Sequence, residues 1–248
     1  MPSSFPTNPD TFTTKVDGVD TVMASHINNL QDAMMAVEDF ALDLRDGWCY
    51  DTDTWVYVNS TSFKIVGKDV RYKFPKGTKI KLVQTSTKYF YVVATAYSAD
   101  TTITITGGSD YSLVSGTISG QAYSYADTPQ GFPQWFNIVV SQTGWTVLPS
   151  GIYKFCVIGN VCHYIVHQTD GTSNSTNTSL GIPIIAETTA GKGGICGYAV
   201  DNGVERTAPT KWWINGHDNV ANFYTNMLWA GWTASGTKKL RAMITYEI

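Results

Sequence analysis

Phe63-Lys-Ile-Val-Gly-Lys-Asp-Val-Arg-Tyr-Lys-Phe-Pro-Lys-Gly-Thr-Lys-Ile-Lys-Leu-Val83 alternates large apolar with charged residues and breaks at Gly67-Lys-Asp69 and Pro75-Lys-Gly77. Successive side chains of a strand point to opposite faces, so this alternation marks strands with one buried face. It predicts strands over residues 63–66, 70–74 and 78–83. In the second, Val70, Tyr72 and Phe74 are expected on one side and Arg71 and Lys73 on the other. Trp55-Val-Tyr-Val, Tyr89-Phe-Tyr-Val-Val and Thr102-Ile-Thr-Ile-Thr extend the pattern. Six short strands at this spacing make a small antiparallel β-barrel or sandwich over residues 47–126, read as a stem.

Toward the C-terminus, Asp127-Thr-Pro-Gln-Gly-Phe-Pro133 is a turn-rich connector and the best domain boundary. Beyond it, strand-like runs occur at 135–140, 151–157, 161–167, 181–185, 195–200, 211–214 and 239–248. They predict a jelly-roll-like β-sandwich over 127–248, read as a distal head. The stretch 169–179 is Gly, Thr, Ser and Asn, and is expected to be a loop too polar to bury.

Toward the N-terminus, Met23, Ile27, Leu30, Met34, Val37, Ala41 and Leu44 fall at alternating gaps of four and three. That is the a/d seam of a coiled coil, expected over residues 23–46 and, with the β-domains behind it, as a trimer. Phe40, at a g position, widens the apolar face, and Gly47 closes the helix. A single amphipathic helix packed on its own β-domain is the plainer alternative. Residues 1–22 carry Pro2, Pro6 and Pro9 with Phe5 and Phe12, without periodicity. Two readings stand side by side: a disordered terminus, or an attachment arm that docks through Phe5, Pro6 and Phe12.

Net charge is −3, and charged residues are 15% of the chain, below the roughly 25% of ordinary soluble domains. A surface polar through Thr, Ser, Asn and Gly suits a protein outside a cell and lacks the basic footprint of a nucleic-acid binder. No run approaches the roughly 18 apolar residues of a membrane span. Met-Pro-Ser-Ser-Phe-Pro at the start is not the cationic and apolar opening of a secretion signal. An extracellular role then implies release by lysis of the producing cell. Cys49, Cys156, Cys162 and Cys196 are too scattered for a disulfide framework. Across a turn at Gly159-Asn160, Cys156 would face His163 and Cys162 would face Val157, so buried thiols are favoured over a bridge. The glycosylation-like triplets at Asn59, Asn174 and Asn177 are expected by chance in so polar a chain.

Catalytic patterns are missing. Asp51 and Asp53 share a face in a polar run, without the contrasting environments that set two carboxylates apart. Thr189-Ala-Gly-Lys-Gly-Gly194 lacks the spacing of a phosphate loop. His163 and His167 on one strand would stand about 13 Å apart, too far to share a metal within a chain. Neither enzyme activity, cofactor nor metal is expected. A binding surface remains in Trp212-Trp-Ile-Asn-Gly-His-Asp-Asn-Val-Ala-Asn-Phe-Tyr-Thr-Asn-Met-Leu-Trp-Ala-Gly-Trp232. Rings stack on sugar faces, and Asn, Asp and His hydrogen-bond hydroxyls. Trp212, Trp213, Asn215, His217, Asp218, Tyr224 and Trp229 are therefore candidate receptor contacts; the same rings equally suit a core or an interface. The polar loop 172–179 is a second candidate.

Ser4-Phe-Pro-Thr-Asn-Pro-Asp-Thr-Phe12 followed by His26-Ile-Asn-Asn-Leu-Gln-Asp-Ala33 resembles the start of many tailed-bacteriophage fibre and baseplate proteins. Residues 63–106 are similar to small β-domains of phage fibres, and the C-terminal part is loosely similar to trimeric receptor-binding domains. The resemblance implies a homotrimeric virion component, held to baseplate, tail or neck proteins by its arm. Its expected role is host-surface adhesion through a glycan or surface protein. A non-adhesive adaptor, or a head or collar fibre, is the alternative.

Overall fold

The computed structural model describes residues 23–187 and 191–248, without the side chains of 24, 39, 40 and 42–45. Phe5, Pro6 and Phe12, and so the proposed arm, lie outside the described residues. One α-helix, Ala24–Arg45, precedes two β units. At its start Met23 N–H donates to His26 Nδ1 (3.1 Å), which gives that histidine a capping role. At its end Gly47 adopts the left-handed φ of +78°, and Trp48 N–H donates to Asp46 Oδ1 (3.0 Å). Trp48 is fully buried, with its indole N–H on the Gln130 carbonyl at 2.8 Å.

The expected trimeric coiled coil is corrected here. Among the described residues there is a single α-helix with no second helix to wind around, and no coiled coil is part of the fold they form. Heptad spacing reports a narrow apolar stripe, which one helix can carry without a partner. Met23, Ile27, Leu30, Met34 and Val37 are each about half exposed. Ala41 is also exposed, and the Leu44 side chain is not among those described.

The first β unit is a seven-stranded antiparallel sheet. Its strands, in spatial order, are Cys49–Tyr50, Ser119–Ser124, Lys79–Val83, Thr87–Tyr97, Thr101–Thr106, Ser62–Ile65 and Trp55–Asn59. The outermost strands do not pair, so the sheet is open rather than a barrel. Its core gathers Trp55, Phe63, Phe74, Ile80, Leu82, Phe90, Ile103 and Ile105, with Trp55 stacked on Phe63 at 4.3 Å. Each such side chain contributes roughly 1.5–3 kcal/mol by leaving water.

The strand expected at 70–74 is instead a 3₁₀ turn, Arg71–Lys73. Val70 and Phe74 are buried while Tyr72 is 76% exposed, the spacing of a turn and not of a strand. Two features impose it. Asp69 takes both the Arg71 backbone N–H and its guanidinium. Lys73 Nζ is held between Asp51 Oδ1 (3.1 Å) and Asp53 Oδ2 (2.9 Å). Asp53 also pairs with Lys68. The Lys68 hydrogen bond lowers the Asp53 pKa most; burial opposes it, and Lys73 adds to the lowering. The carboxylates at 51 and 53 thus anchor this turn to the sheet.

The second unit packs two sheets on one core. One is eight-stranded, running Trp145–Val147, Gly171–Ser173, Thr237–Glu247, Val161–Gln168, Gly151–Ile158 and Phe136–Asn137, with Tyr198–Asp201 and Val204–Glu205 branching from Thr237–Glu247. The other is five-stranded: Lys192–Cys196, Thr210–Ile214, Val220–Tyr224, Thr178–Gly181 and Gln142–Thr143. This is not the jelly roll expected. The eleven-residue final strand pairs with three others, and such branching does not build two closed Greek keys. Cys156 faces His163 and Val157 faces Cys162, as the turn at Gly159 requires, and Cys156, Cys162 and Cys196 are buried thiols outside any disulfide.

The two units are joined through tight backbone contacts. Gly108, at φ +61°, leaves no room for a Cβ beside the Asn137 carbonyl. Asn137 in turn donates from its backbone N–H and its amide to the Asp110 carboxylate at 2.7 and 2.9 Å. Gly67 has a similar φ of +69° but faces open space. Replacing Gly67 by Ala should therefore cost only the conformational strain, about 1 kcal/mol. Gly108→Ala adds a clash across the junction and should cost more than about 2 kcal/mol in urea unfolding. Equal losses in the two variants would remove the junction from the account.

Candidate binding platform on the five-stranded sheet

Alternation sorts the candidate residues between two faces. In Thr210–Ile214, Thr210, Trp212 and Ile214 are buried, whereas Lys211 and Trp213 are partly open. Trp212 is 4% exposed and fills the inter-sheet core, so it is corrected from a receptor contact to a core residue. The neighbouring strand repeats the division: Ala221 and Phe223 face inward, Asn222 and Tyr224 outward. The register sets Lys211 opposite Tyr224 and Trp213 opposite Asn222. Asn222 stands opposite Ser179, which stands opposite Thr143. One row thus reads Trp213, Asn222, Ser179, Thr143, an aromatic ring followed by three hydrogen-bonding groups.

Trp229 comes over this face from the loop after Tyr224. It holds φ at +68°, an uncommon setting for a large side chain. Asn226 Oδ1 fixes the loop by accepting from Leu228 N–H (2.9 Å) and Ala230 N–H (3.1 Å). The Trp229 ring stands edge-on to Trp213 (5.2 Å) and to Tyr224 (4.9 Å). Lys211 Nζ lies 3.4 Å from the Trp229 ring centroid and 4.8 Å from that of Trp213, an ammonium held by ring faces. Gly191 and Gly193 lie against Trp213 where side chains would collide with its indole. Trp229 remains 46% exposed.

Asn215 joins the cluster by accepting from Trp213 Nε1 (3.1 Å), and its amide donates to Asp218 Oδ2 (3.3 Å). His217, at φ +57°, is exposed at the tip of this hairpin, away from the stacked rings. Ser179 belongs to the polar stretch 172–179 that the sequence offers as a second candidate, whereas Lys211, Asn222 and Thr143 are not singled out by sequence reasoning. Period two alone places Lys211 beside Trp213, but the strand Val220–Tyr224 is short and carries Asn222 at its centre, which hides it.

The stretch 169–179 contributes beneath the platform. Ser173 and Thr178 are buried, contrary to the expectation for a polar loop, because their groups are satisfied. Ser173 Oγ donates to the Thr233 carbonyl at 2.5 Å. Lys238, fully buried on the other sheet, donates to Gly144 O (3.0 Å), Ser175 O (3.4 Å) and Thr178 Oγ1 (2.5 Å). Its ammonium also lies 4.9 Å from the Trp145 ring and 5.4 Å from that of Trp232. Burial pushes its pKa down to about 8, with the Asp201 carboxylate opposing the fall.

His163 and His167 stand on the outer face of the eight-stranded sheet, where His163 Nδ1 shares a hydrogen bond with Thr245 Oγ1 at 3.2 Å. Among the described residues no group of three His, Cys, Asp or Glu could hold a metal. Compared with known proteins, the chain matches no family model and no curated protein.

Lys238→Met strips three acceptors of their donor while keeping the aliphatic stem, and should lower stability by roughly 2–4 kcal/mol. The pH dependence has a definite sign. The folded Lys238 pKa lies below its unfolded value, so between about 8 and about 10.4 the unfolded chain holds more protons and stability rises with pH. Buried Cys162 and Cys196, pushed up to about 12 and about 11, act oppositely above about pH 8.5. The comparison to make is therefore wild type against variant: their difference in melting temperature should widen from pH 8 to 10.

Proposed function

We propose that the chain is a virion structural protein of a tailed bacteriophage, a short fibre that adheres to the host surface as a homotrimer. One observation carries this reading: a solvent-facing row of Trp213, Asn222, Ser179 and Thr143 overhung by Trp229. Exposed rings beside amides and hydroxyls suit a sugar, whose CH face stacks on an indole while its hydroxyls take the polar groups. The arm residues Phe5, Pro6 and Phe12 attach the protein to baseplate, tail or neck. Synthesis is in the host cytoplasm, and release is by lysis. Neither catalysis nor a cofactor belongs to this reading, and it includes no contact with nucleic acid and no membrane insertion.

A second reading draws on the same loop. Met227 is 46% and Leu228 86% exposed beside Trp229, an apolar tip that suits a protein partner. This would make the chain an adaptor, or a head or collar fibre without a receptor.

Labelled full-length protein is expected to bind host cells saturably and strain-specifically. Trp229→Ala and Trp213→Ala should each weaken that binding more than tenfold without changing the melting curve. Binding to no cell type, together with capture by virion proteins, would favour the adaptor. Light scattering should give about 82 kDa, three times the 27.2 kDa chain; a monomer at all concentrations would overturn the trimer.

A further inference from the structure

A cleft of about 500 Å³ opens where the two β units meet, in the size range of ligand sites. Lys79 and Tyr91 line it from the first unit, Asp127 and Phe132 from the connector, Trp135 from just beyond it, and His163 from the outer face of the eight-stranded sheet. Its walls are mainly apolar and aromatic. Lys79 is 5% exposed, yet among the described residues its ammonium meets no hydrogen-bond or ion-pair partner. The nearest groups are the Tyr91 and Phe132 rings, whose centroids lie 5.9 and 5.8 Å from Nζ. Burial lowers the Lys79 pKa, opposed chiefly by the Asp127 carboxylate at the same cleft.

A buried ammonium is costly unless something pairs with it. Every other strongly buried lysine here has a partner: Lys88 donates to Ser112 O (2.7 Å) and Gln84 Oε1 (3.2 Å), and Lys238 to the acceptors above. Among the described residues, Lys79 is the buried lysine whose charge meets only ring faces and the open cleft.

The geometry points to a ligand site in this cleft for a small monoanionic carboxylate with an apolar ring, its carboxylate on Lys79 and its ring between Phe132, Tyr91 and Trp135. A single cation calls for a single negative charge. Asp127, exposed at the cleft, repels a dianion, which selects carboxylate over phosphate monoester. The site is separate from the sheet platform and does not rest on the adhesion reading.

Isothermal titration of the full chain with 3-phenylpropionate, 3-phenylpropionamide and phenyl phosphate tests the assignment. The acid should bind saturably at one site, and the isosteric amide at least tenfold more weakly. Lys79→Met should remove that preference, and Trp135→Ala should weaken acid and amide alike. Trp213→Ala should change neither, and Asp127→Asn should strengthen phenyl phosphate. Equal affinity for acid and amide, no saturable binding, or an unchanged preference in Lys79→Met would each overturn the proposal. Should Lys79→Met not fold, the acid–amide contrast on the wild type and the Asp127→Asn response still decide it.

Discussion

Residues 88–93 of the strand Thr87–Tyr97 are covered on both faces, and the two β units are held together through them. Phe90 and Val92 enter the core of the first unit. Tyr89, Tyr91 and Val93, the alternate residues, pack against the core of the second. Tyr91 meets Phe132 at 5.0 Å and Phe136 at 5.2 Å, while Phe132 also packs on Trp48 at 6.0 Å. The connector is thus a packed wall, and the helix end, the first sheet and the second core are fastened at one aromatic seam. A slip of one residue in this strand would exchange the two sets and spoil both cores at once. The cleft that holds Lys79 lies beside the same seam.

Sequence pattern was informative where one physical period ruled. Strands Trp55–Asn59, Ser62–Ile65, Thr101–Thr106, Gly151–Ile158 and Val161–Gln168 all lie within a residue or two of their expected bounds, because apolar and polar residues alternate cleanly. The pattern misled at Val70–Phe74, where ion pairs to Asp51, Asp53 and Asp69 outweigh alternation. Ser119–Ser124 and Val220–Tyr224 escape the pattern because small residues, Ala122 with Ser124 and Ala221, stand at buried positions where a large apolar residue is looked for. The coiled coil failed for another reason. Heptad spacing describes one surface of a helix and is silent on what lies against it.

The platform shows the same division. Trp213, Tyr224 and Trp229 stand out by composition, yet composition cannot separate them from Trp212 and Trp232, which are core. Only pairing does that, by fixing which residues share a side. Lys238 was equally hidden. A lysine at the start of an apolar strand reads as an exposed edge, whereas here it is fully buried and bonded to backbone that lies far away in sequence. Ser173 and Thr178 of the polar stretch 169–179 are buried, and Thr178 Oγ1 and the Ser175 carbonyl close around that ammonium.

The final strand, Thr237–Glu247, is the spine of the eight-stranded sheet, and it follows Val161–Gln168, Gly171–Ser173 and Tyr198–Asp201 in the chain. On a ribosome these partners emerge before their spine exists. Roughly 70 residues separate Val161–Gln168 from it, several seconds of translation at about 10 residues per second. Throughout that interval the Val161–Gln168 hairpin presents a bare edge carrying Tyr164 and Val166, both destined for the interior. Neighbouring nascent chains on one polysome would offer each other matching edges. That edge stays without its partner until Thr237–Glu247 has been made, so the eight-stranded sheet closes late.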